Sequence, residues 1–239
     1  MKPTLVLIHG HGVDSSVWDT VYEPLSRQFS IIKPDFSRLD GHESIEAYAE
    51  RLYSLMEQAQ VEKAILAGHS MGGYIALAFA ERHPEMVAGL ALVHSTAFAD
   101  DETKKEQRQK ALQSLQEYGS EAFIRNTVPN MFGDAFRQQQ PEAVDELVKK
   151  SSQLPAEALS AGVRAIAGRP DRTQVLKAAA FPVVIIAGRQ DKIIPFEKSE
   201  ALFGMPSQGQ PVVLDEAGHL GMLETPGPLV EALSRMAAV

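Results

Sequence analysis

The fold is decided by residues 64–73, Ala64-Ile65-Leu66-Ala67-Gly68-His69-Ser70-Met71-Gly72-Gly73. The first four residues predict a short strand, and the Ala-rich segment after the glycines, closed by Pro84, predicts a helix. A serine in a Gly-x-Ser-x-Gly turn between strand and helix has a strained backbone and an exposed hydroxyl. Ser70 is therefore a candidate nucleophile, and the alternative is an ordinary tight turn with a solvent-facing serine.

Short apolar runs alternate with helical segments on both sides of this turn. The sequence predicts strands at Leu5–Ile8, Ser30–Lys33, Lys63–Ala67, Val87–Val93, Pro182–Ala187 and Gln210–Leu214. Helices are predicted between them, for example at Ser15–Gln28 and Ser44–Gln58. Strands that are apolar throughout and separated by helices indicate a parallel sheet covered on both faces.

The alternation stops between about Ala97 and Ala179. This part contains helix-like segments at 100–118, 121–128, 141–154 and 156–167, and none of them flanks an obvious strand. We therefore expect a core domain made of residues 1–96 and 180–239, with residues 97–179 inserted as a helical segment after the fourth strand.

Composition places the chain among globular proteins. Of its 239 residues 44% are hydrophobic, and no apolar run is long enough to cross a bilayer. The formal net charge of −8 argues against nucleic acid and anionic membrane surfaces as partners. The absence of cysteine excludes disulfides, thiolate metal sites and cysteine nucleophiles. Because the first apolar run lacks the features of a signal peptide, we expect a cytoplasmic protein.

Two further residues complete a possible catalytic set with Ser70. A serine hydroxyl needs a nearby base, and a histidine base needs an acid that fixes its tautomer. Asp191 follows the fifth predicted strand, and His219 follows the sixth. Because the carboxyl ends of parallel strands lie at one edge of the sheet, where ligands bind, we expect these three side chains to meet there.

The wider pattern resembles the α/β-hydrolase family. The matching motifs run the length of the chain: His9-Gly10, Gly68–Gly73, Gly188-Arg189-Gln190-Asp191 with Ile194-Pro195, and Gly218-His219 followed by Glu224 and Pro226. The resemblance implies a three-layer α/β-hydrolase fold with a mostly parallel sheet, and residues 97–179 correspond to the family's helical cap. We expect about six strands, because the antiparallel hairpin that usually precedes the His-Gly strand has no counterpart here.

The resemblance also assigns roles to residues. It implies Ser70 as nucleophile, Asp191 as acid and His219 as base. It further implies an oxyanion hole made by the backbone N–H groups of His11 and Met71. The position of Met71 at a predicted helix start agrees with that role, because N–H groups there are unpaired and the helix dipole favours negative charge.

Other residues near this edge have two possible roles each. Some members of the family take their acid from the region after the fourth strand, where this chain has Asp100 and Asp101. We expect His94 and Phe132 to line the substrate pocket. The alternative for His94 is a hydrogen-bonded core histidine, and the alternative for Phe132 is a place in the core of the helical segment.

The implied activity is hydrolysis of a small carboxylic ester or lactone through an acyl-enzyme, with no cofactor and no metal ion. The cap position is similar to that of small-molecule esterases, enol-lactonases and carbon–carbon bond hydrolases. The expected partner is the small-molecule substrate, and the chain is expected to be a monomer or a weak homodimer. Two alternatives stay open: hydrolysis of a carbon–carbon bond by the same residues, and a ligand receptor with little turnover.

Overall fold

Within residues 2–238, which the computed structural model describes, six strands form one sheet in the order β2-β1-β3-β4-β5-β6. The strands are β1 (Thr4–Ile8), β2 (Ser30–Ile32), β3 (Ala64–His69), β4 (Val87–Val93), β5 (Val183–Gly188) and β6 (Gly209–Leu214). Every pairing between neighbouring strands is parallel. The predicted parallel sheet of about six strands is confirmed, and β3, which leads to Ser70, lies near its middle.

Helices cover the sheet on both faces. The α-helices are α1 (Asp19–Ser26), α2 (Ile45–Gln58), α3 (Met71–Arg82), α4 (Glu102–Thr127), α5 (Asp134–Gln139), α6 (Pro141–Ser151), α7 (Ala156–Gly168), α8 (Thr173–Lys177), α9 (Phe196–Glu200), α10 (Gly221–Glu224) and α11 (Pro226–Ser234). Helices α4 to α8 lie between β4 and β5, and we call them the helical insert. The prediction of a helical segment after the fourth strand is confirmed.

The two faces of the sheet bury different sets of side chains. Leu5 and Leu7 of β1 pack in one cluster with residues of α1 and α11. Val6 and Ile8, which alternate with them, pack in a second cluster with residues of α2 and α3. Because successive side chains of a strand point to opposite faces, this division shows that both faces of β1 are buried.

The helical insert packs against the sheet. Phe123, Ile124 and Val128 belong to the same buried cluster as Leu5 and Leu7, so the insert shares a core with the sheet. Helix α4 packs along α7 and is interrupted at Gly119, whose φ of 75° and ψ of −177° fit glycine. Among residues 2–238, no helix combines the length and the apolar character needed to cross a membrane.

Candidate active site

Ser70 occupies the sharp turn between β3 and α3. Its φ of 51° and ψ of −118° lie outside the regions that non-glycine residues favour. Two contacts hold this conformation: Ser70 N donates to Val93 O (3.0 Å), and Ser95 Oγ donates to Ser70 O (2.7 Å). Such strain persists only where the surrounding structure fixes it, and it is typical of functional sites.

The glycines on either side of Ser70 are required by close backbone contacts. A Cβ atom at Gly68 would lie 2.3 Å from Gly72 O. A Cβ atom at Gly72 would lie 2.3 Å from Ile8 O. The turn therefore forms only because both residues lack a side chain, which lets α3 start directly against β1 and β3.

His219 and Asp191 form a buried pair beside Ser70. His219 Nδ1 lies 2.7 Å from Asp191 Oδ2. Asp191 Oδ1 accepts hydrogen bonds from the backbone N–H groups of Ile193 (2.8 Å) and Ile194 (2.9 Å). Burial alone would raise the pKa of Asp191, but the charge and hydrogen bond of His219 outweigh it and lower that pKa below its usual value. An ionised Asp191 accepts from Nδ1–H, which leaves Nε2 of His219 to act as a base.

Ser70 and His219 line one cavity together with residues of the helical insert. His11, Phe123 and Met131 are also part of its wall. The backbone N–H of Met71 belongs to the first residue of α3, so it has no partner within the helix. The loop that carries His11 is fixed by His9, whose Nδ1 donates to Gly10 O (2.7 Å) and whose Nε2 accepts from Phe36 N (2.8 Å).

Comparisons with known proteins identify the family of this chain. A family model described as the alpha/beta hydrolase family matches residues 5–232. The chain belongs to the alpha/beta hydrolase family.

Its similarity to individual alpha/beta hydrolases extends over nearly the whole chain. A pimeloyl-[acyl-carrier protein] methyl ester esterase from Klebsiella pneumoniae is 28% identical, over 96% of this chain and 91% of that protein. A solved thermophilic esterase from Thermogutta terrifontis is 30% identical with a TM-score of 0.92, over 98% of this chain and 89% of that one. The enol-lactonase from Burkholderia xenovorans LB400, 21% identical, shares the fold with a TM-score of 0.91, over 100% and 92% of the two chains.

The alternative acids after β4 lie elsewhere in this alpha/beta hydrolase. Asp100 Oδ1 accepts from Arg169 Nη2 (2.7 Å), and Asp100 Oδ2 accepts from Arg108 Nε (3.0 Å). Asp101 accepts from Lys104 N (2.9 Å) at the start of α4. The structure therefore brings Asp191, and neither of these residues, to His219.

His94, which we expected to line the pocket, is fully buried behind Asp191. Its Nε2 accepts from Gly221 N (3.2 Å), and its Nδ1 lies 3.6 Å from Asp191 Oδ2. A φ of 48° at the end of β4 turns the chain there and sets the ring against β5 and α10, away from the cavity wall. His94 thus contacts Asp191 without lining the cavity that Ser70 and His219 share.

Phe132 is also placed differently from our expectation. It is fully buried and stacks on Phe136, with ring centroids 5.2 Å apart and planes 4° apart. The cavity is lined instead by its neighbour Met131 and by Phe123 of α4. Met131 ends the short helical turn at 128–131 and Phe132 follows it in an extended conformation, so the two side chains point in different directions.

His11 connects the loop after β1 to the helical insert. Its Nε2 lies 2.8 Å from the backbone oxygen of Leu159 in α7, to which it donates. Burial is the main reason that the pKa of His11 falls from 6.5 to about 4. The side chain is therefore neutral at pH 7, and its hydrogen bond to the insert is present there.

We expect His11 to make the stability of the protein depend on pH. Because its pKa is about 4 in the folded state and 6.5 in the unfolded state, the unfolded chain takes up the proton first when the pH falls. Between pH 7 and pH 5 the wild type should lose about 2 kcal/mol of unfolding free energy more than His11→Gln, whose amide can still donate to Leu159. Urea unfolding at both pH values measures this difference, and equal losses in the two proteins would contradict it.

Glu224 is a structural residue whose contacts sequence analysis did not foresee. Its Oε2 accepts from Gly133 N (2.7 Å) and Gly218 N (3.0 Å), and its Oε1 accepts from Leu220 N (2.9 Å). Two of these donors flank His219, and the third belongs to the helical insert. One carboxylate therefore fixes the loop that carries His219 and attaches it to the insert.

We expect Glu224→Gln to lower the unfolding free energy by about 2 kcal/mol. The amide that replaces one oxygen cannot accept, so at least one backbone N–H beside His219 is left without its partner. Glu231→Gln is the matched control, because Glu231 is exposed and pairs only with Arg235 on the same helix surface within the described residues. Chemical denaturation compares them, and an unchanged midpoint for Glu224→Gln would show that these hydrogen bonds contribute little.

The histidines and carboxylates around Ser70 do not form a metal site. Among residues 2–238, no group of three or more His, Cys, Asp or Glu side chains is arranged to hold a metal ion. His69, which lies 4.8 Å from His219 between ring centroids, points its Nε2 at His219 O (2.8 Å). Burial lowers the pKa of His69 well below its usual value, so this neighbour of His219 is neutral.

Proposed function

We propose that this alpha/beta hydrolase is a serine hydrolase that cleaves a small carboxylic ester or lactone through an acyl-enzyme. The observation that carries the proposal is the 2.7 Å contact between His219 Nδ1 and Asp191 Oδ2. The other imidazole nitrogen of His219, Nε2, can then accept the hydroxyl proton of Ser70, which lines the same cavity as His219. A histidine held in this tautomer by a buried carboxylate is the base that a serine nucleophile requires.

In the first half of the reaction, Ser70 Oγ attacks the ester carbonyl carbon while His219 Nε2 takes the hydroxyl proton. The carbonyl oxygen becomes an oxyanion, which the backbone N–H groups of Met71 and His11 stabilise. Collapse of this intermediate breaks the bond to the alcohol oxygen. His219 gives its proton to that oxygen, and the acyl group remains on Ser70.

Water completes the reaction. His219, neutral again, takes a proton from water, whose oxygen attacks the acyl carbon. The second oxyanion collapses, the proton returns to Ser70 Oγ, and the carboxylic acid leaves. Asp191 stabilises the imidazolium in both halves and stays ionised, in agreement with its lowered pKa.

The relatives with the higher identities support ester chemistry. The Klebsiella pneumoniae protein, 28% identical, is named for a methyl ester, and the Thermogutta terrifontis protein, 30% identical, is an esterase. In our proposal residues 97–179 act as the cap over the site, since Phe123 and Met131 supply part of the cavity wall. Apolar walls beside a polar reacting centre suit a small acyl chain.

Stopped-flow hydrolysis of p-nitrophenyl acetate, butyrate and octanoate tests the proposal. We expect a burst of p-nitrophenol equal to the enzyme concentration, followed by steady turnover, and mass spectrometry should find the acyl group on the peptide that contains Ser70. The trend with chain length measures the size of the acyl site. Absence of turnover on every ester by the folded protein would overturn the proposal and favour carbon–carbon bond hydrolysis or ligand binding without turnover.

A further inference from the structure

One arginine of the helical insert reaches the cavity that contains Ser70 and His219. Arg108 of α4 is part of the same cavity wall, and its side chain is 26% exposed. A cation in this place is not needed for the acyl transfer described above, in which the developing charge is met by backbone N–H groups. Its position next to the reacting groups calls for a different explanation.

The charge of Arg108 is only partly neutralised. Asp100 is shared between Arg108 and Arg169. Arg169 is 4% exposed, donates to Asp100 Oδ1 and to Ile166 O, and stacks on the Tyr74 ring at 4.1 Å. Arg169 therefore has a structural role and uses one oxygen of the carboxylate. Two guanidinium groups and one carboxylate leave one positive charge, and Arg108 is the member of the group that faces the cavity.

The free part of Arg108 is the part suited to binding an anion. Within residues 2–238, its hydrogen bond to Asp100 uses Nε, and no protein acceptor engages Nη1 or Nη2. The two terminal nitrogens of a guanidinium present parallel N–H groups that match the two oxygens of a carboxylate. A single net charge suits a carboxylate better than a phosphate dianion.

The surroundings of Arg108 are positive although the protein is acidic. A recess next to the Ser70 cavity shares Tyr74, Arg108 and Ile193 with it. Its charged residues are Lys104, Arg108, Arg169, Lys198, Asp100 and Asp101, which give a local net charge of +2. The whole chain has a net charge of −8. A positive recess on a negative protein attracts anions to this place in particular.

The positive charge of Arg108 also acts on the opposite wall of the cavity. Burial is the largest cause of the low pKa of His11, and the charge of Arg108 lowers that pKa further. His11 lies on the wall formed by the loop after β1, whereas Arg108 lies on the helical insert. A substrate bound between them is therefore exposed to the positive charge.

We propose that Arg108 selects substrates in which the acyl or the alcohol part carries a carboxylate. This inference rests on the proposed ester hydrolysis and narrows its substrate class to half-esters and related anionic esters. The carboxylate binds Nη1 and Nη2 of Arg108 while the ester carbonyl lies at Ser70. Arg108 is thus a specificity residue and takes no part in proton transfer.

Matched pairs of substrates test the inference on the wild type. For the acyl part, p-nitrophenyl hydrogen adipate is compared with p-nitrophenyl adipamate, in which an amide replaces the carboxylate. For the alcohol part, para-carboxyphenyl acetate is compared with para-carbamoylphenyl acetate. In one of the pairs we expect kcat/KM to be about 10- to 100-fold higher for the anion, as for a hydrogen bond to a charged group. A ratio near one in both pairs would overturn the inference.

Variants then identify the residue that is responsible. Arg108→Gln should reduce the ratio of the preferred pair to near one, and Arg108→Lys, which keeps the charge but not the paired N–H groups, should give an intermediate ratio. Arg125→Gln is the matched control, since Arg125 lies on the same helix, is 65% exposed and pairs with Glu121. It should keep the wild-type ratio. An unchanged ratio in Arg108→Gln would assign the selectivity to another group.

A binding measurement separates failure of this inference from failure of the proposed function. Calorimetry on Ser70→Ala needs no turnover. It compares monomethyl adipate with methyl adipamate for the acyl part, and para-carboxyphenyl acetate with para-carbamoylphenyl acetate for the alcohol part. Tighter binding of the anion that is lost in Ser70→Ala/Arg108→Gln supports the carboxylate site even if the wild type hydrolyses no ester. Hydrolysis of neutral esters with equal binding of the anion and the amide in both pairs would keep the esterase and reject the carboxylate site.

Discussion

Ser70→Ala is expected to lower kcat for ester hydrolysis by on the order of 10⁶-fold, the loss that follows removal of the serine from subtilisin. Without Oγ no acyl-enzyme forms, because the proposed base and oxyanion donors then have no nucleophile to activate. The substitution removes one atom from a side chain that makes no hydrogen bond through Oγ within residues 2–238. The fold and the binding of substrate should therefore survive.

Steady-state kinetics on p-nitrophenyl butyrate, with calorimetry for binding, measures both halves of this expectation. Ser54→Ala is a matched control, because Ser54 lies on α2 and its Oγ donates only to Glu50 O among the described residues. It should keep the wild-type rate. If Ser70→Ala kept a rate near that of the wild type, Ser70 would not be the nucleophile.

Asp191→Asn is expected to lower kcat by about 10⁴-fold, the loss seen when the acid of a serine-protease triad becomes an amide. The two backbone donors, Ile193 N and Ile194 N, require an oxygen at the position of Oδ1. The new amide nitrogen must then take the position of Oδ2 and donate to His219 Nδ1. This forces the proton of His219 onto Nε2, and the ring can no longer accept the proton of Ser70.

The control for this substitution is Asp215→Asn. Asp215 follows β6, is exposed and pairs with Arg189 at the surface, so its loss should leave kcat unchanged. The same assay with Asp100→Asn distinguishes Asp191 from Asp100 as the acid that pairs with His219. A wild-type rate for Asp191→Asn would contradict the proposed pairing, whereas inactivity of Asp100→Asn alone would move the role of acid to the region after β4.

Much of the architecture around Ser70 could be predicted because it depends on local patterns. The strand before Ser70 was predicted at Lys63–Ala67 and is observed at Ala64–His69. It extends further because Gly68 and His69 continue the pairing with Leu92 and Val93 of β4. The pairing of Asp191 with His219 could be foreseen, since both follow strands that end at one edge of the sheet.

The walls of the cavity could not be predicted in the same way. Phe123 and Phe132 are both aromatic residues of the insert that pack in its core, and composition does not show that Phe123 alone also lines the cavity. That difference depends on how each turn of the insert faces the sheet. The short helices α5, α8 and α10 were also missed, because segments of four to six residues carry too little periodicity.

Hydrogen bonds join the helical insert to the loops that carry His11 and His219. His11 donates to Leu159 O, Glu224 accepts from Gly133 N, and His219 N donates to Met131 O at 2.6 Å. An outward movement of the insert that widened access to Ser70 would break these bonds and loosen the loops of His11 and His219 together. In the proposed reaction the oxyanion hole and the base depend on these loops, so we expect a site opened in this way to be unreactive until the insert closes again.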